Sequence, residues 1–286
     1  MCMCIGRTSI IGMFTEGIFT GYNTKVHGEG INTMDQSLLE RRYHLRKTRY
    51  ISERFEISPN ITEQCSVSDN LHISHAARDA SILPLLRESY LRAYEFVKDW
   101  FDSRSDIALA LWVAPEVSDL RYMICLPCDE GFFCAPGSRD GMGIILFASP
   151  RAYRGNADPE RLSGLLAHEI THHLVRALSH ATDVTMKRKE KREVPMWLEE
   201  GLCQLIQGEI DPAFRRKRDE RISVTTTRYN PAELWDDLSG CRDVPAAYME
   251  AYRHTRVLLE AKGRPEVIRL LHLHRSRDVD WNDLLF

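Results

Sequence analysis

Residues 158–179 read DPERLSGLLAHEITHHLVRALS, and residues 195–207 read PMWLEEGLCQLIQ. Asp158 followed by Pro159 is a helix start, with Asp as N-cap and Pro at the first helical position. The helix is expected to run to about Ser179, with Leu162, Leu166, Ile170, Leu174 and Ala177 as its apolar side. Each helical residue turns through about 100°, so His168 and His172 stand nearly one above the other. Both imidazoles can then reach one metal ion. Glu169, one step round, lies beside that ion and can take a proton from a water there. The plainer alternative is a pair of solvent-facing histidines on an amphipathic helix.

Two histidines and a water leave a zinc ion (Zn2+) one ligand short of four. A third histidine six residues after His172 would complete the set, but that position is Leu178, and His180 lies past the expected helix end. A carboxylate from a second helix is the other route. Pro195 opens such a helix, and it carries Glu199 and Glu200, 27 and 28 residues after His172.

Outward from these helices the chain alternates in type. Asn70 to His75 alternates apolar and polar residues as a half-buried strand does. Ala80 to Phe101 has helical spacing, with Leu83, Leu86, Tyr90, Tyr94 and Val97 on one face. Asp106–Ala114 and Gly141–Ala148 read as buried strands. Residues 180–194 are a polar connector. Pro231, Pro245 and Pro265 each open a further helix, the second ending at Gly263 as its C-cap. Strands first and helices after is an α+β layout.

The 286 residues suffice for one large domain or two small ones, and the net charge of −3 favours no particular partner. Residues 1–65 are expected to be a loosely packed or partly disordered extension. Met34 is an alternative start of translation. Residues 66–286 form the main domain. No apolar run reaches the length of a membrane span, and the N-terminus lacks the pattern of a signal peptide. Eight cysteines in a chain of this length are expected to be reduced thiols in a cytoplasmic protein.

The pair of motifs, His168–His172 followed by PMWLEEG, resembles the gluzincin group of metallopeptidases, in particular the peptidase MA-like domains related to thermolysin and aminopeptidase N. The second motif of that group has the form W-L-x-E-G. Trp197, Leu198, Glu200 and Gly201 match it, with Glu199 at the variable position. The resemblance covers roughly residues 66–274. It implies a zincin-like α+β fold: a small mixed β-sheet, an active-site helix, then a mostly helical C-terminal part. It implies His168, His172 and Glu200 as zinc ligands, Glu169 as the catalytic base, and a peptide or protein substrate. Glu199 is expected to accept a hydrogen bond from a ligand histidine. A donor to the oxyanion is expected from a downstream helix, with Tyr248 favoured over Tyr252. Aromatic packing in AAYMEAY is the competing reading of both. The strand Gly143–Ala148 resembles the edge strand that pairs with extended peptide in that group.

The chain also departs from the group. Gln204 stands where thermolysin-like chains often carry an aspartate that orients a histidine, and its amide oxygen is expected in that role. The gap between the motifs is longer, filled by the basic connector. No G-A-M-E-N-like motif is present, so aminopeptidase activity is not implied. Gly164, one turn before His168, either admits a close backbone or is merely tolerated.

Several signals are read as structural. Cys125, Cys128 and Cys134 lack an evident fourth ligand and are expected to be loop thiols. Cys203 reads as core. The basic runs 187–192 and 215–221 contain or abut acids and carry no interleaved aromatics, so they read as solvated loops and nucleic acid is not expected as a partner. His272 and His274 read as surface. A metal-binding but catalytically inactive, peptidase-like scaffold or regulator is the alternative to an active enzyme.

Overall fold

The computed structural model describes residues 57–274 except 105, 125–131, 140–141, 153–157, 180–193, 236–237 and 239–240. The start at Met34, the Cys125–Cys128 pair, His180 and the run 187–192 lie outside the described residues, as do the side chains of Cys134 and His274.

Five strands form one mixed sheet: β1 (Glu63–Ser68), β2 (Leu71–His75), β3 (Leu109–Ala114), β4 (Phe132–Arg139) and β5 (Met142–Ala148). Their spatial order is β1-β2-β3-β5-β4. The β2–β3 and β3–β5 pairs are parallel, and the two outer pairs are antiparallel. The sheet takes in residues 63–65, and Ser58 is buried with its hydroxyl donating to Asp119 at 2.6 Å. Central β3 is buried at every position, as a parallel strand covered on both faces should be. Leu109, Leu111 and Val113 face the main core. Ala110, Trp112 and Ala114 face a smaller cluster with Leu120 and Met123 of α2 (Val117–Ile124).

The expectation that Gly143–Ala148 is an edge strand is overturned, because β5 is paired on both sides. The outer strands of the sheet are β1 and β4, and neither of them, nor α2, is legible in the sequence.

The helical part begins with α1 (Leu83–Trp100), entered through a 3-10 turn at Ala77–Ile82. There follow α3 (Pro159–Ser179), α4 (Met196–Ile210), α5 (Pro212–Val224), α6 (Val244–Lys262) and α7 (Arg264–His274). The chain is thus α+β, with α1 and α2 connecting strands of the sheet and the other helices following it. Helix α3 packs against both α1 and α4, and α4 packs against α6. Asp158 caps α3 as expected, its Oδ1 accepting from the Arg161 amide at 2.7 Å. Leu162, Leu166, Ile170 and Leu174 are buried, whereas Ala177 is exposed. Gly263 ends α6 with φ of 78°, the conformation that favours glycine.

One helix expectation and one loop expectation fail for local reasons. Pro231 opens a turn over residues 231–235, not a helix. Pro195 offers α4 no side-chain cap, so the first amides of α4 need other acceptors. The turn supplies them: Met196 N donates to Trp235 O at 2.8 Å and Trp197 N to Leu234 O at 3.1 Å. The run 215–221, expected as a loop, is the body of α5, where only Phe214 and Arg218 are buried.

Glycines set how closely the helices meet. A Cβ on Gly164 would lie 3.3 Å from the carbonyl oxygen of Gln207 and closer to the Asp211 side chain. The close-approach reading of Gly164 therefore holds. Among the described residues no helix is long and apolar enough to cross a membrane.

Candidate metal centre

Helix α3 presents His168 and His172 on the side turned to α4, with imidazole centroids 5.2 Å apart. Both rings are buried, at 1% and 0% exposure. Helix α4 brings Glu200 opposite them. Its Oε2 lies 3.6 Å from His168 Nε2, and its Oε1 lies 3.7 Å from His172 Nε2. Those separations are too long for hydrogen bonds. Two ligand atoms on one tetrahedral zinc stand about 3.3 Å apart, given metal–ligand bonds near 2.0–2.1 Å. The observed spacings are close to that edge length. Neither histidine Nε2 has a hydrogen-bond partner among the described residues. Buried nitrogens of this kind are costly unless something binds them. The donor set therefore fits a metal ion.

The far nitrogens are held in place. His172 Nδ1 lies 2.8 Å from Glu199 Oε1, the contact expected from the sequence. Arg176, one turn beyond His172, donates to the same oxygen through Nε and Nη2 at 3.0 and 2.8 Å. His168 Nδ1 lies 2.9 Å from Gln207 Oε1. The expectation for Gln204 fails. Its amide nitrogen donates to the backbone oxygens of Glu200 and Tyr248, at 3.3 and 3.1 Å, so it ties α4 to α6. A glutamine does orient a histidine, but one turn later. Glu200, Cys203 and Gln207 share a face of α4 by helical spacing, which was the available signal for Gln207.

Charge around the rings is unequal. Burial holds His168 below its ordinary pKa, against the pull of Glu200. Burial also pushes His172 down, but Glu200, Glu199 and Glu169 outweigh it and the net shift is upward. The next residue, His173, is pushed down to about 3, first by burial and then by Arg176. It is neutral, and its Nε2 lies 3.2 Å from the Ile144 carbonyl oxygen, pinning α3 to β5.

Glu169 is 1% exposed, and its field reaches His172. Cys203 is buried core, as read, but it has a second aspect. Its sulfur and one nitrogen from each of His168 and His172 lie within 4.8 Å of one another, a buried group that can hold a metal ion. The Tyr252 hydroxyl donates to Asp219 Oδ1 at 3.3 Å, and Tyr248 is buried on the same helix, α6. Among the described residues Cys65, Cys203 and Cys241 form no disulfide, and His272 is exposed.

No family model matches the chain. No curated protein matches it either. Among solved structures, it is similar to a mutant M1 zinc metallopeptidase from Deinococcus radiodurans, at 14% identity and a TM-score of 0.37. The match covers 78% of this chain and 46% of that one, so this chain spans less than half of that structure's length.

Proposed function

We propose that the chain is a zinc-dependent hydrolase of peptide bonds, gluzincin-like in its ligand set, with His168, His172 and Glu200 as the metal ligands. The observation that carries this reading is the placement of both Glu200 oxygens within 3.7 Å of the two histidine Nε2 atoms, across two separate helices. Two neutral imidazoles and one carboxylate are the donors of catalytic rather than structural zinc sites, which keep a position open. Zinc held there supplies Lewis acidity and lowers the pKa of a water. Glu169 takes the proton of the attacking water and returns it to the leaving amine nitrogen. Tyr248 donates to the developing oxyanion. An extended peptide pairs with the outer edge of β4. The test is zinc content per chain together with peptide-library cleavage. Zinc-loaded protein that cleaves no peptide removes this reading.

The bonds to the far nitrogens bear on metal retention. Glu199→Gln leaves a hydrogen-bond acceptor but removes the charge shared by His172 and Arg176. Zinc affinity is expected to fall about 10–100-fold, measured by competition with a chelator. Unchanged affinity would mean that Glu199 holds only Arg176.

Cys203 favours a second reading. A thiolate filling the fourth position would close the site and make it structural, as in an inactive scaffold. Cys203→Ser separates the two. The open-site reading expects zinc content and cleavage to be preserved; loss of zinc makes the sulfur a ligand.

A further inference from the structure

Seven of the thirteen residues of helix α5 are charged, and one of its two buried residues is an arginine. Arg218 is only 8% exposed. Its guanidinium sits 4.8 Å over the Phe214 ring, and its Nη1 donates to the Met249 sulfur at 3.6 Å. Neither partner carries negative charge. Among the described residues, no carboxylate lies within ion-pair distance of Arg218. Burial first, then the like charge of Arg221, lowers its pKa to about 10, while Tyr248, Tyr252 and Glu200 pull the other way. The carboxylate whose field reaches this cation is thus a proposed metal ligand. Met249 is the neighbour of Tyr248 on α6, so the guanidinium and the proposed oxyanion donor approach the same stretch of that helix.

Burying a charge without a counter-ion is costly, and an apolar side chain of similar length would fill the space more cheaply. A cation–π contact and a thioether acceptor offset only part of that cost. Guanidinium is also the group best matched to bidentate carboxylate recognition. We infer that Arg218 receives a carboxylate of the substrate, so that cleavage is selective for peptides carrying negative charge near the scissile bond. The inference rests on the peptidase reading of the metal centre. The carboxylate is that of a chain terminus or of an acidic side chain.

The experiment uses zinc-loaded protein and peptides of one sequence, made as the C-terminal acid, as the C-terminal amide, and as amides with Glu or Gln beside the cleaved bond. Wild type is expected to prefer a carboxylate-bearing member. Acid over amide identifies the chain terminus, and Glu over Gln identifies the side chain. In Arg218→Met, kcat/KM for the preferred peptide is expected to fall about 100-fold. Cleavage of the neutral amide should stay within about twofold, which also shows that the variant is folded. Arg218→Lys should recover part of the preference. A wild-type enzyme indifferent to charge, or a preference that survives in Arg218→Met, overturns the inference. If wild type cleaves nothing, the peptidase reading fails and Arg218 is judged by binding. Calorimetric titration with 3-phenylpropionate and its amide should then show acid binding that is at least tenfold weaker in Arg218→Met. Equal binding by both proteins counts against the site.

Discussion

Glu169→Gln is expected to lower kcat/KM for peptide cleavage by about 1,000-fold while zinc content and melting temperature stay near those of wild type. General acid–base groups contribute about 100- to 10,000-fold, and this residue would act twice, first as base and then as acid. A thousandfold is about 4 kcal/mol of barrier. The amide is nearly isosteric, so no cavity opens at this buried position on α3. It cannot accept the water's proton. Metal should be retained, because the close approaches to the histidine Nε2 atoms come from Glu200 on α4 rather than from Glu169. The measurements are zinc per chain and initial rates on one peptide for both proteins. Equal rates would remove Glu169 from the reaction, and lost zinc would make it a ligand instead of a base.

Legibility in the sequence followed the physics of each element. Helices α3, α6 and α7 carry their own punctuation in Asp158-Pro159, Pro245, Gly263 and Pro265, so they were readable. Helix α5 lacks an apolar stripe, since its buried pair is Phe214 and Arg218, and periodicity had nothing to register. Strand β1 has a mostly polar, half-exposed pattern. Strand β4 is an edge strand carrying Pro136 and Gly137, which read as a loop. Sheet order is a non-local property, so the position of β5 between β3 and β4 could not be read from its own residues. At the candidate metal centre, His168, Glu169 and His172 follow from helical spacing alone. Counting ligands pointed to a carboxylate on α4, but choosing Glu200 over Glu199 required the resemblance. The resemblance also misdirected: it pointed to Gln204, whereas Gln207 meets His168.

The glycine that ends the W-L-x-E-G motif leads to the largest stability effect expected. A Cβ at Gly201 would fall 2.5 Å from the Ala251 carbonyl oxygen and nearer still to the Thr255 hydroxyl, both on α6. Two effects oppose each other in Gly201→Ala. Alanine in a helix interior gains about 1 kcal/mol over glycine. Forcing a methyl into closed packing costs about 1–3 kcal/mol or somewhat more, and here one obstacle is backbone, which cannot rotate away. The bond from Thr255 Oγ1 to Trp197 O, 3.2 Å long, would break as the helices part, losing about 1 kcal/mol more. The clash wins, for a net loss of about 2–3 kcal/mol and a fall of about 5–10 °C in melting temperature. Glu200 is the adjacent residue, so a displaced α4 carries a proposed ligand with it, and a shift of about 0.5 Å already spoils such a constellation. Zinc affinity should therefore fall together with stability. Adding Thr255→Ala removes the nearest obstacle but leaves the Ala251 carbonyl, so the double variant should recover part of the melting temperature and not all of it. Should Gly201→Ala melt at or above the wild-type temperature, α4 and α6 are not in the contact described, and the support it gives Glu200 goes with it.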